Sequence, residues 1–465
     1  MKKLLLFLCV VAVSTLVYSQ DADYDLGSYK TGDYKRKSLD LNFGSNGDFG
    51  NTTDYGKVQT FQGKLSLEYN QRKNSRKLYE VIKLGINGNL DYGNKDKNIG
   101  VYNSVFYNNQ DKVNNNDYGV YFSRLGLHYI NEKNTFIEFS PNVDFSRQNL
   151  SSSELYSYPY DNRYKRKRND LTTSVSFKLG IGKGRLENVE DARQAIYILE
   201  ELKEKGILLR SLTTEEINRI ATVMTRIKNK RQLDSRIRLI EEIETIDSLL
   251  VANGYIDKSN GGARYFTTLY DKWMYGDTPQ RLAGSRFTVG LAPHYYFNRY
   301  KYHQENFYDG YIDDYIYDGK SINTLREGRV YIDFNYEKPV NLKFQNSIQT
   351  SVISSWGRYR LNDSNHLQSE FLASYKWGYY PNTRTYAGVA FMQILRWNRY
   401  RSENNYLQSV TGLSANAYYY LSPQLRIFGD CNISYIFDRY MEMNKNNNDK
   451  HPRTRFSLGL TYSFF

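Results

Sequence analysis

Residues 455–465 read RFSLGLTYSFF, and their alternation decides how the rest of the chain is read. Phe456, Leu458, Leu460, Tyr462 and Phe464 share one parity, while Ser457, Gly459, Thr461 and Ser463 share the other. A period of two with one apolar and one polar face predicts a β-strand. Termini usually fray for want of partners, so a strand at the very end needs a neighbour to pair with.

The same alternation recurs along the chain. Leu171, Thr173, Val175, Phe177, Leu179 and Ile181 alternate with polar residues and glycine, as do Ile137, Phe139, Val143 and Phe145, and again Leu425, Ile427, Cys431 and Ile433. About fourteen such segments are read, with cores at 36–43, 57–70, 78–92, 118–130, 134–147, 169–182, 285–299, 328–337, 340–354, 366–378, 384–396, 406–420, 424–438 and 454–465. Tight links at Asn74-Ser75, Asn131 to Lys133, Lys338-Pro339, Tyr380 to Asn382 and Ser422-Pro423 alternate with long Asn-, Asp- and Tyr-rich stretches. The latter, 44–56, 93–117, 148–168, 300–327, 355–365, 397–405 and 439–453, are expected to be loops. An even strand number with short turns on one rim and long loops on the other is the pattern of a membrane β-barrel, whose short turns face the periplasm.

Ser457, Gly459, Tyr462 and Phe464 resemble the C-terminal signal by which the barrel-assembly machinery recognises bacterial outer-membrane β-barrel proteins, with Phe465 one residue beyond its usual end. The resemblance is to a broad class and implies an all-β transmembrane barrel held in outer-membrane lipid and lipopolysaccharide. It also implies a last strand that pairs with the first, because an open edge in lipid leaves backbone groups unsatisfied.

Composition agrees. The chain has 465 residues, 45 of them Tyr, only 8 Pro and a formal charge of +13, and its mean hydropathy is -0.68. MKKLLLFLCVVAVSTLVYSQ carries Lys2 and Lys3 before a short apolar run and small residues at a cleavage site, so residues 1–19 are read as a secretory signal. Past it Cys431 stands alone, which excludes an internal disulfide.

Between the sixth and seventh segments the period changes. Ala192, Ala195, Ile196, Leu199 and Leu202 form a helical stripe before Gly206. Thr213 and Glu216 read as a capping box opening a helix with Ile217, Ile220, Ala221, Met224 and Ile227. A third follows Asp234, with Ile237, Ile240, Ile243, Ile246, Leu249 and Leu250 before Gly254. The expected organisation is therefore a first barrel part over 20–186, a three-helix periplasmic insertion over 187–253, and a second barrel part over 254–465. The insertion is read either as a cap or as a docking platform for a periplasmic protein.

The polar parity places Lys64, Glu68, Lys83, Asp91, Arg124, Glu138, Asp144, Lys178, Asp333, Lys343, Glu370, Lys376, Arg426 and Asp430 on the lumen face. The histidines, His128, His294, His303, His366 and His451, show no metal-ligand spacing; His128 and His294 are given lumen parity, where a hydrogen-bonded histidine is the ordinary reading. No cofactor, catalytic residue or metal ligand is assigned, and an outer-membrane hydrolase is kept only as an alternative. GIGKGR (180–185) departs from both phosphate-loop patterns and is read as a flexible exit from the wall. RYKRKR (163–168) is read as a solvated basic run that could meet lipopolysaccharide phosphates rather than nucleic acid. DGYIDDYIYDG (309–319) offers Asp309, Asp313, Asp314 and Asp318 among tyrosines, without the spacing of a calcium loop. The expected function is a channel or transporter for a small hydrophilic solute; the alternative is a cell-envelope assembly or secretion accessory that recruits a partner through 187–253.

Overall fold

The computed structural model describes residues 24–464 apart from 53–55, 103–104, 158–160, 232–237, 258–261, 276–280, 309–314, 360–363, 401–403 and 443–444. The expected signal segment 1–19 and Asp309, Asp313 and Asp314 lie outside the described residues.

Fifteen strand segments form one closed antiparallel sheet. They are β1 (Tyr34–Thr52), β2 (Gly56–Asn74), β3 (Leu78–Tyr102), β4 (Val105–Tyr129), β5 (Thr135–Ser157), β6 (Asp161–Asn188), β7 (Leu282–Leu291), β8 (His294–Tyr308), β9 (Tyr315–Pro339), β10 (Phe344–Tyr359), β11 (Ser364–Tyr379), β12 (Thr385–Tyr400), β13 (Asn404–Tyr420), β14 (Leu425–Glu442) and β15 (Lys445–Ser463). β7 and β8 are halves of one wall position: Leu179↔Leu291 and Ser176↔His294 keep a single register against β6. Pro293, which has no N–H to give to a ladder, interrupts them. The barrel thus has fourteen strands, the number expected.

Closure is made by the C-terminal strand. β15 pairs with β1 from Asp40↔Ser463 to Gly50↔Arg453, and the Phe464 N–H donates to Leu39 O at 2.8 Å. Tyr462 and Phe464 stack edge to face at 5.1 Å on the apolar parity. On the other parity Ser457 donates to Asp430, and a Cβ at Gly459 would strike the Phe428 ring.

Outside, cross-strand rows of apolar side chains run around the wall. Val289, Ile332, Val352, Phe371 and Leu395 lie side by side on five adjacent segments, and Phe43, Leu65, Ile86 and Leu458 are more than half exposed. A contiguous belt of this kind is untenable in water and is what lipid requires. No described helix is long and apolar enough to cross a membrane; the crossing is made by strands.

The tight turns lie on one rim and are closed by the side chains that turn chemistry favours. Asn131 accepts from Thr135 N, Asn341 from Phe344 N, Asn382 from Thr385 N, and Ser422 and Ser75 each from the N–H three residues on. The opposite side corrects the sequence reading. Most of the stretches expected as long loops continue the strands, so β6 has 28 residues and β3, β4 and β9 have 25 each. β10, β11 and β12 have 16 each, which cuts the outward rim on a slant. Above the lipid neither face of a strand has to be apolar, so the ladder continues without the alternation that reveals it.

The insertion carries four helices, not three: α1 (Glu190–Glu204), α2 (Thr214–Lys228), α3 (Leu239–Ala252) and α4 (Gly262–Met274). α4 was read as barrel because its apolar residues, Tyr265, Leu269 and Trp273, are spaced over a short segment behind Gly261 and Gly262. The Thr213–Glu216 capping box is formed in full, and Gly206 and Gly254 take positive φ of 69° and 63° at the helix ends. Ile240, expected on the buried stripe, is 72% exposed. The bundle core also takes in Tyr24, Leu26 and Tyr29 from the segment before β1.

Candidate functional site

The bundle occupies the short-turn mouth of the barrel. It is inserted where a sixth tight turn would stand, since Asn188 and Leu282 remain paired beside it. α1 enters the mouth first: Glu190, Asp191, Arg193 and Gln194 are each at most 2% exposed. The Tyr197 hydroxyl donates to Tyr380 O at 2.9 Å, and Arg193 lies over the Tyr380 ring at 5.4 Å. Arg281 donates to the carbonyls of Asn341, Leu342 and Phe344 and to Gln345 Oε1, tying the return path to the β9–β10 turn.

Buried charge makes this seat specific, because an ion taken from water needs its partner in place. Burial pushes the Glu190 carboxyl above its usual range, with Arg193 opposing it. Asp191 is also buried, yet Arg36 at 2.6 Å and Lys228 at 2.9 Å outweigh that burial and hold it below its ordinary value. Arg36 belongs to the wall and Lys228 to α2, so one carboxylate joins barrel to bundle. Arg281 is brought down to about 10 by burial and the nearby Arg193.

The inner wall is lined by cross-strand ionic and amide pairs. Lys178 meets Asp333 at 2.8 Å, Arg396 meets Glu370 at 2.5 Å, and Glu138 accepts from Tyr331 at 3.0 Å. Glu68 accepts from Tyr121 and Asn70, and Asp91 from Asn115 at 3.1 Å. Lys64, Lys83, Asp144, Lys376, Arg426 and Asp430 share this inward parity. Two expected lumen residues do not. Arg124 pairs across from Ile82 on the outer face, bonded to Glu80 and over the outward Phe139 ring at 5.9 Å. Lys343 lies in the turn before β10 and is exposed. His128 likewise faces outward, opposite Ile137. The lower part of β4 misled the parity because its inward side is also apolar: Leu127 and Phe136 are buried there at 1% and 0%.

GIGKGR is wall, not exit. A Cβ at Gly180 would meet the Tyr331 hydroxyl and one at Gly182 the Phe136 ring, so these glycines admit inward aromatics. Arg185 donates to Asn74 Oδ1 at 2.6 Å and Ser75 O at 2.8 Å. The basic run is partnered along its strand, with Arg168 on Asp170 at 2.7 Å and Lys165 over Phe307 at 5.3 Å. From the acidic segment, Asp318 meets His303 at 2.8 Å.

Sequence spacing missed a relay that the sheet assembles. Ser174 Oγ is 3.0 Å from His294 Nε2, and His294 Nδ1 is 2.7 Å from Glu327, which His366 and Arg329 also clamp. These are triad-like distances. Both edges of β6 are paired at Ser174, to Asp144 and Tyr296, which leaves no backbone N–H there for an oxyanion. The Asp144 carboxylate directly across would repel one. A second cluster, Asp438, Asp449 and His451, brings ligand atoms within 4.8 Å of one another on two strands, with Asp438 already accepting from Tyr406 and Gln408.

No protein family and no curated protein matches the chain. Among solved structures it is similar to the Pseudomonas putida toluene transporter TodX, at 9% identity and TM-score 0.36 over 96% of this chain and 94% of that one. It is also similar to the translocator domain of the autotransporter NalP from Neisseria meningitidis, at 8% identity and TM-score 0.31 over 94% and 90%, and to the CymD monoaromatic hydrocarbon channel, at 8% and 0.32 over 92% and 88%. The barrel assignment rests on the closed register and the apolar belt.

Proposed function

We propose that this chain is an outer-membrane channel for small hydrophilic solutes whose periplasmic mouth is closed by its own helical insertion. The observation that carries the reading is the seat of α1: Asp191 of the bundle bonded to Arg36 of the wall, with Tyr197 on Tyr380 across the same mouth. A barrel of fourteen strands is wide enough to need a plug if it is not to leak, and a seat built from polar contacts is one that can be released. In this reading the tight turns face the periplasm, the signal segment directs export, the final strand is read by the barrel-assembly machinery, and the outward basic run meets lipopolysaccharide.

The test is single-channel conductance in a planar bilayer, for the intact protein and for a variant in which 190–280 is replaced by a two-residue turn. Silence in the first and steady conductance in the second is the expected result; silence in both overturns the channel reading. A second reading, a docking platform for an envelope protein, is favoured by Phe266 and Tyr270 on α4. They stack on each other at 6.2 Å and are 52% and 40% exposed. Crosslinking in cells that captures one periplasmic protein, lost on Phe266→Ser with Tyr270→Ser, would support it.

A further inference from the structure

Where the bundle meets the wall beside the closing strand, a cavity of about 370 Å³ is left. The wall contributes Arg36, Arg72, Lys83 and Arg426 to its lining, and the bundle Lys228 and Arg231. We propose that this cavity binds a small phosphorylated solute; the inference rests on the channel reading and names its class of cargo.

Three observations converge. First, Arg36 and Arg72 are direct cross-strand partners on the inward face, a like-charge placement that is unfavourable by itself, and Asp191 answers the Arg36 charge while Arg72 adds its own to the cavity. Second, the carboxylates at hand are committed. Asp191 serves both Arg36 and Lys228, and Arg231 is bidentate on Glu242 at 2.9 Å. Asp40 accepts from Ser38, Asn70 and Ser463, and Glu68 from Tyr121 and Asn70, with Lys83 at 3.9 Å. Among the described residues Arg72 and Arg426 have no carboxylate within ion-pair distance. Third, Arg426 Nε is buried without a hydrogen-bond partner, although its guanidinium is set in place against the Tyr418 and Tyr420 rings at 5.4 and 5.8 Å.

Guanidinium groups present a planar fork that matches phosphate oxygens two at a time. Arg72 and Arg426 are the binding residues of the site, with Arg36 and Lys83 adding charge. The same field favours an anion over a neutral solute, and the cavity that would hold it is lined by both wall and bundle.

The test is calorimetric titration of the detergent-solubilised full chain with inorganic phosphate, glucose 1-phosphate and succinate. Saturable binding of the two phosphates, weakened at least about tenfold by Arg72→Gln or Arg426→Gln and unchanged by Lys64→Gln higher on the inner wall, is the expected result. Arg72→Lys should retain part of the affinity, which separates a lost contact from a lost fold. Absent phosphate binding, binding indifferent to both arginine variants, or succinate bound as tightly as phosphate would each overturn the proposal. Binding is read without conductance, so phosphate binding in a protein whose intact and 190–280-replaced forms are both silent would end the channel reading and leave this site standing.

Discussion

The Val189 N–H donates to the Arg281 carbonyl at 3.0 Å, although a whole helical bundle lies between them in sequence. The two ends of the insertion therefore meet as the two sides of a hairpin do, and the strands they leave, β6 and β7, are in register at Asn188↔Leu282. Removing 190–280 and joining Val189 to Arg281 through two residues should leave the barrel folded. The expected readout is a retained heat-modifiable shift on gels, with new conductance in the bilayer.

Arg193 and Glu190 form an ion pair that is 1% and 0% exposed. Arg193→Met strands a buried carboxylate and should cost about 3–5 kcal/mol of bundle stability. Adding Glu190→Gln should recover much of that loss. Thermal melting followed by helical circular dichroism would check both.

Asp191 should make the closed mouth acid-sensitive only at low pH. Its native-state pKa lies below its ordinary value of 3.8, so its contribution is complete above that value and is lost as pH falls through the lowered one. Between pH 7 and 4 its part in the closure should hold, and Asp191→Asn should open the mouth at pH 7. Conductance against pH for the two proteins measures this.

A methyl group at Gly182 would collide with the Phe136 ring and the Phe287 carbonyl, whereas Gly63 has nothing within 4 Å. Gly182→Ala should destabilise the barrel by about 1–3 kcal/mol. Gly63→Ala should change it by less than about 0.5 kcal/mol. Urea midpoints of refolding into detergent micelles would separate them.

The belt was legible in the sequence because lipid forces one parity to be apolar, as in the row from Leu171 to Ile181. The outward halves of β3 to β6 were not, since residues such as Asn114 to Asn116 are polar on both faces of the strand and keep no hydropathy period. The capping box at Thr213 was readable because its chemistry is local. Arg124 and His128 were misplaced where Leu125 and Leu127 made both parities of β4 apolar. The mouth was beyond the sequence altogether: Arg36 and Asp191, or Ser174 and His294, are brought together only by the closing of the sheet.

The slanted outward rim gives the barrel a backboard. Strands of 28 residues on one side and 16 on the other differ by about 40 Å along the strand at roughly 3.3 Å per residue. The outward opening is therefore screened by tall ladder over β3 to β6 and β9 and lies low over β10 to β12. Approach to that opening is thus asymmetric about the barrel axis.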